Sequence, residues 1–412
     1  MAMTLTADDI LNRLFNTPEG RRDPYPLYRM LHERAPFHRR GQDDIWYACH
    51  HTTCRKILLD NRLGHDQETM FRRPGRTDGQ LRRLSDRMAP GRRRSLSMLT
   101  ENPPDHTRLR YLASRAFTLR RVEMLRPRIA KLADERLDRM ADRGESDVIE
   151  DLAFPLPVRV IGELLGVPFG DRQRFPALGM LADRPDATKE ELGQAQRSFE
   201  ALENLFTDLI TERRARPRQD LLSELVAVCD EDDGRLSEDE LMATAQLLFF
   251  AGFLTTNLIG NGLLALLRHP DEMARLWADG SLVASAVEEM LRYDSPVPMI
   301  GRHVLEGPVE LEGIQIAQGQ SIFAVVAAAN RDPERFADPD RFDVGRPDNH
   351  PLSLGAGIHH CLGAPLARVE AQVVFGKLRE RFATIELLDP DPPLASGPLR
   401  GLRSLRVRIR PR

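Results

Sequence analysis

The stretch LSLGAGIHHCLGAPLARVEAQ, residues 352–372, sets Cys361 among Gly355, Gly357 and Gly363, immediately ahead of a helical run. Glycines at this density permit a tight backbone and the close approach of a large flat ligand. A thiol just before a helix N-terminus lies near unpaired backbone N–H groups, which favour its thiolate. A glycine-rich turn carrying an inert cysteine would have the same spacing, so the rest of the chain has to discriminate.

Most of that chain reads as helix. Ser237 and Glu240 form a capping box ahead of an apolar run, which predicts one long helix ending at the Arg-His-Pro stop at Pro270. Its middle, LLFFAGFLTTNLIGNG at 247–262, contains Gly252 and the pair Thr255–Thr256. Such residues weaken a helix by roughly 0.5–1 kcal/mol each relative to alanine, so something should compensate. A Thr255 hydroxyl bonded back to the Ala251 carbonyl would bend the helix there, and Gly252 would let another group approach. Helical spacing also marks DHTRLRYLASRAF, LRPRIAKLADERLDRMAD, the run from Thr188 to Pro217, DEMARLWAD and LVASAVEEMLRYD. Strand signals are fewer: DIWYAC, VELEGIQIAQGQSIFAVVAAA and LRSLRVRIR. The expectation is a mainly α protein with small β-sheets, a single large domain over 1–412.

Composition narrows the classes. Hydrophobic residues make up 41% of the 412, enough for a substantial core, and a net charge of -3 argues against a dedicated nucleic-acid binder. The N-terminal MAMTLTADDILNRLF lacks the apolar run of a signal peptide or membrane anchor, so the expected location is cytoplasmic. Four cysteines without a CxxC pair fit a reducing compartment. CHHTTC at 49–54 gathers zinc-type ligands, but its spacing matches no common finger. Residues 61–100 are rich in arginine, suited to recruiting an anionic substrate or an acidic carrier protein, or to forming a solvated face.

The pattern Gly355-x-Gly357-x-His359-x-Cys361-x-Gly363 resembles the haem-thiolate loop of the cytochrome P450 family. The resemblance extends over nearly the whole chain: EEMLR with Glu289 and Arg292, NRDPERFADPDRFDVGRP before the loop, PPDHTRLR, and AGFLTT in the long central helix. It implies the P450 fold, haem b (iron protoporphyrin IX), and Cys361 as the iron ligand, with Gly355 and Gly363 shaping the loop. His106 and Arg110, four apart on one helix face, would meet the haem propionates together with Arg302 and His359. Glu289 and Arg292, three apart, would form a pair tying their helix to the segment before the haem loop. Ala251, Gly252 and Thr255 would form the dioxygen groove, and Leu247, Phe250, Leu254, Pro298, Met299, Ile300 and Leu399 the substrate pocket.

The resemblance further implies a monomeric bacterial-type monooxygenase acting on a lipophilic small molecule such as a polyketide, terpenoid or aromatic product. The substrate could be anionic or carrier-bound. Electrons would come from NAD(P)H through a ferredoxin reductase and a ferredoxin, the latter docking near Arg368. Two positions depart from the family pattern. Leu254 stands where an acid usually precedes the threonine, and Leu354 where phenylalanine usually packs near the sulfur. The missing acid leaves room for a peroxide-using, coupling or rearranging enzyme; a P450-like recruitment module without turnover is the rival outside catalysis.

Overall fold

The computed structural model describes residues 5–65, 97–114, 117–168, 189–231, 236–395 and 397–412. Helices α1 (Ala7–Asn16), α2 (Pro18–Arg22), α3 (Tyr25–Arg34), α4 (His51–Leu59), α5 (Asp105–Ser114), α6 (Leu119–Arg143) and α7 (Pro155–Leu165) occupy the first part. They are followed by α8 (Lys189–Ala215), α9 (Leu221–Asp230), α10 (Glu238–Gly252), α11 (Thr255–Arg268), α12 (Pro270–Ala278), α13 (Val283–Tyr293), α14 (Val326–Ala329) and α15 (Ala364–Arg381). The chain divides into two units, each assembled from separated segments.

The first unit comprises Met1–Arg94, Val297–Arg341 and Asp348–Cys361. Its sheet has the order β1-β2-β8-β5-β3, where β1 is Phe37–Arg40, β2 Ile45–Ala48, β3 Leu63–Gly64, β5 Ile300–Val304 and β8 Ser321–Ala324. Strands β2 and β8 run parallel, and the other pairs are antiparallel. One face buries Trp46, Ile57, Leu58, Val304 and Ile322; another cluster joins Ile10, Leu11, Tyr28 and Leu31 to Tyr47 and Val325. The hairpin β6 (Val309–Leu311) and β7 (Ile314–Ile316) completes the unit. The strand expected through VVAAA is instead the short helix α14.

The second unit comprises Ser95–Pro296, Phe342–Pro347 and Leu362–Arg412. It holds the long helices and a sheet ordered β4-β10-β9, from Glu145–Asp147, Arg406–Pro411 and Phe382–Leu387. The capping box at Ser237 forms as the sequence predicts: the Glu240 N–H donates to the Ser237 hydroxyl at 3.3 Å and the Ser237 N–H to Glu240 Oε2 at 2.9 Å. The long helix that it opens is not continuous. It stops at Gly252 and restarts at Thr255, because the N–H groups of Phe253, Leu254, Thr256 and Asn257 reach carbonyls only three residues back, at 3.1–3.2 Å. Of the described residues, Glu238–Arg268 is the one stretch long and apolar enough to cross a membrane, and 67% of its most apolar window is buried inside the protein.

Glu289 and Arg292 on α13 are both fully buried and form a two-pronged pair at 2.7 and 2.8 Å. Glu289 also accepts from the Asp343 N–H at 2.8 Å and from the Arg346 guanidinium at 3.1 and 3.2 Å. The expected tie from this helix to the segment 342–347 is therefore made twice, by an arginine and by a backbone amide. Removing one member of such a cluster strands the charge of the others. Glu289→Gln is expected to lower the free energy of unfolding by about 3–5 kcal/mol in urea titration, whereas a loss below about 1 kcal/mol would rank the pair with surface bridges.

Candidate active site

In the first unit the glycine loop is built by backbone constraint. Gly355 and Gly357 have φ of +73° and +71°, in the left-handed region, and a Cβ on Gly357 would lie 2.3 Å from the Leu58 carbonyl oxygen at the end of α4. The loop thus rests on α4 where no side chain fits. It closes through the Gly355 N–H to Leu352 O and the Cys361 N–H to Leu354 O, both at 2.8 Å. Cys361 is exposed at the end of this loop, unlike Cys49 and Cys54, which are buried, their thiols pushed up by that burial. Gly363 has φ -78° and serves as N-cap residue of α15 rather than as a left-handed turn.

Arg302, on β5, is only 6% exposed. Its Nη1 donates to the Gly301 carbonyl at 2.9 Å and to His65 Nε2 at 3.3 Å, and no carboxylate pairs with it among the described residues. Burial alone pulls its pKa down to about 10. His359 stands edge-on to His65 with ring centroids 4.7 Å apart. A buried guanidinium normally keeps its charge by pairing with an anion, so this corner fits a ligand that brings carboxylates of its own.

In the second unit the break between α10 and α11 presents Leu247, Phe250, Ala251 and Leu254 at helical spacing. All four remain at least partly accessible while Leu248 and Phe249 beside them are buried. An accessible apolar stripe on an otherwise buried helix suits a flat lipophilic ligand. Gly252 does not serve that stripe. A Cβ there would fall 2.6 Å from Ile161 Cβ, so the missing side chain lets α7 pack against the end of α10.

Thr255 differs from expectation as well. Its hydroxyl does not bond back to Ala251, whose carbonyl takes the Leu254 N–H; it lies beside the carboxyl of Glu370 on α15 and favours that carboxyl's ionised form. Glu370 is 1% exposed, and burial pushes its pKa up to about 8 against the pull of the threonine hydroxyl. Sequence reading missed Glu370, because a glutamate at the seventh position of a helix looks like any solvated helix residue. The one available signal was its place, i and i+4, beside the buried Leu366 and Val374.

The remaining expected residues are distributed as follows. His106 is buried and Arg110 half-buried on α5. Pro298, Met299 and Ile300 lead into β5, and Leu399 lies in the terminal turn, all half-buried. Arg368, proposed for ferredoxin docking, is clamped by Glu288 at 2.6 and 3.1 Å, so its charge is compensated within the chain. Around CHHTTC, Cys54 donates to Ala48 O, and Asp332 caps α4 by accepting the His51 N–H at 2.7 Å. Most of the arginine-rich segment, 66–96, falls outside the described residues.

The family model for cytochrome P450 matches residues 180–402, and the P450 monooxygenase PikC of Streptomyces venezuelae is 40% identical over 397 residues, covering 94% of this chain and 91% of its own. This chain belongs to the cytochrome P450 family. The 6-deoxyerythronolide B hydroxylase of Saccharopolyspora erythraea is likewise 40% identical, over 94% of this chain and 96% of its own. Among solved structures, P450BioI in complex with an acyl carrier protein bearing hexadec-9Z-enoic acid superposes with a TM-score of 0.82 at 33% identity, covering 95% and 100% of the two chains. The protein is a P450 monooxygenase of bacterial type with the P450 fold, and membership of the family implies a haem-thiolate cofactor.

Glu370 gives this P450 a pH signature. Its folded-state pKa is raised, so the unfolded chain releases the proton first and stability is lost as pH rises from the ordinary carboxylate range towards about 8. Glu370→Gln removes that cost. The variant should gain on the parent by up to about 1 kcal/mol per pH unit across this window in denaturant titrations, and a difference independent of pH would show Glu370 to be ionised throughout.

Proposed function

We propose that this P450 inserts one oxygen atom from dioxygen into a lipophilic small molecule, with Cys361 as the haem ligand and a Thr255–Glu370 pair handling protons. The observation that carries the reading is the exposed Cys361 thiol on a glycine-shaped loop in the same unit as Arg302, a buried cation that no carboxylate among the described residues meets. Arg302 and His359, with His106 and Arg110 on α5, would hold the carboxylates of haem b; Gly355 and Gly357 let the loop backbone approach the ring. When bound, the haem supplies dioxygen activation, driven by electron donation from the thiolate.

The chain's own part is positioning and proton control. With a pKa near 8, the Glu370 carboxyl holds a proton in most molecules at neutral pH and can hand it to Thr255 Oγ. The acid absent at Leu254 is thereby supplied from another helix, which favours the monooxygenase over a peroxide-dependent enzyme. Leu247, Phe250, Leu254, Met299, Ile300 and Leu399 offer apolar contact and no charge, which suits a polyketide, terpenoid or aromatic body. The 6-deoxyerythronolide B hydroxylase, as a relative, makes 6-deoxyerythronolide B-type compounds the first to screen. An acyl chain on a carrier protein, as in the P450BioI complex, is the second. NAD(P)H would deliver electrons through a ferredoxin reductase and a ferredoxin. We take residues 1–412 as one P450 domain, since the matched region 180–402 draws on both units.

The test compares hydrogen peroxide released with NADPH consumed, in the presence of ferredoxin, its reductase and a lipophilic probe that shifts the spin state. Glu370→Gln should raise the peroxide share several-fold while leaving probe binding unchanged, and Leu254→Glu in that background should recover part of the coupling. Equal peroxide release from the parent and Glu370→Gln would remove the carboxyl from proton control.

A further inference from the structure

We infer that Asn261 is a positioning residue that sets substrate specificity, because it fixes the terminal turn, and with it Leu399, at one place along α11. This goes a step past the reading that Leu399 lines the substrate pocket, and rests on it. The turn is closed on itself: Leu394 and Leu402 form an antiparallel bridge, the Ala395 N–H donates to Gly401 O at 2.9 Å and the Arg403 N–H to Pro393 O at 2.8 Å. Leu399 and Arg400 lie between those bonds, so their place relative to the rest of the unit depends on what the turn meets.

It meets α11. Asn261 is 3% exposed on a helix where Leu258, Ile259, Leu263 and Leu264 are buried and apolar. A buried amide costs free energy unless it is hydrogen-bonded, and this one donates twice from Nδ2, to Arg400 O at 3.1 Å and to Asp294 O, just past α13, at 3.3 Å. Arg400 is gripped from two further sides, its N–H donating to Pro296 O at 2.9 Å and its guanidinium pairing with Asp294. One helical turn earlier on the same face is Asn257, and the backbone of Gly401 rests on it so closely that a Cβ would fall 2.1 Å from Asn257 Oδ1. Thr255 opens this helix, and at about 1.5 Å per residue Asn261 stands about 9 Å further along it. Apolar packing is non-directional and tolerates sliding, whereas an amide bonded to two carbonyls does not. Leu399, next to Arg400, is thereby held at a fixed height relative to Thr255, and the pocket is set to select a lipophilic body by its length.

The experiment titrates the ferric holoenzyme with 1-alkylimidazoles and follows the Soret shift of nitrogen ligation, which reads the apolar wall whatever the natural substrate is. The quantity is the ratio of Kd for 1-methylimidazole to Kd for 1-dodecylimidazole. Leu399→Ala should lower this ratio about tenfold, and Asn261→Leu, which keeps the volume without the donors, about fourfold, as for one methylene unburied. The double variant should lose no more than Leu399→Ala alone, since Asn261 acts through Leu399. Asn261→Ser should behave as Asn261→Leu, and either decides the matter if the other does not fold. An unchanged ratio in the Asn261 variants, or a double variant whose loss is the product of the two single losses, would overturn the inference and leave Asn261 a packing residue. A ratio unmoved by Leu399→Ala would instead overturn the pocket assignment beneath it, a distinct result.

Discussion

Arg302 is a cation removed from water that meets no anion among the described residues, and the surrounding chain makes sense once a carboxylate is supplied from outside. Burying a guanidinium costs several kcal/mol unless hydrogen bonds and an opposite charge offset it, yet among the described residues the backbone offers Arg302 the Gly301 carbonyl and the side chains His65. Strand β5 is held on both edges, by β8 and by β3, which fixes the backbone that carries Arg302. The sheet thus keeps a charge in waiting. The glycine loop ending at Cys361 belongs to the same unit, and it too is shaped for a ligand, with two left-handed glycines and a thiol left accessible.

The other unit solves a different problem, that of keeping polar groups inside a helix built from apolar residues. The interruption at Gly252–Thr255 costs helix hydrogen bonding, but it is tightened by three-residue bonds and filled from behind by Ile161, with the Glu370 carboxyl beside Thr255. A buried carboxyl that stays protonated at neutral pH is an expensive residue to keep for packing alone, since methionine or leucine would fill the volume without the pH penalty. Its presence against the threonine is the physical reason to assign the pair a role in moving protons.

Much of this was legible in the sequence, and for identifiable reasons. Cys361 and its glycines, the Glu289–Arg292 pair and the Ser237 capping box are local patterns, in which spacing along the chain fixes geometry. Contacts between distant segments were not legible. The packing of Ile161 on Gly252 was hidden because the two lie some ninety positions apart. Thr255 was expected to bond within its own helix because Glu370, 115 residues on, carries no periodic signal, and Arg368 looked like a free surface charge because Glu288 faces it from another helix. Strands β1, β3, β4, β5 and β9 escaped notice since they are short or edged by polar residues, so their pairing is decided by partners and not by propensity.

The claim on which all of this turns is that Cys361 binds haem iron as a thiolate. The direct measurement is the absorption spectrum of the dithionite-reduced, carbon-monoxide-bound protein, recorded beside Cys361→His. The account predicts a Soret band at the red-shifted position of thiolate ligation in the parent, lost in the variant. A parent spectrum at the position given by histidine or neutral thiol ligation, or one unchanged by the substitution, would contradict it.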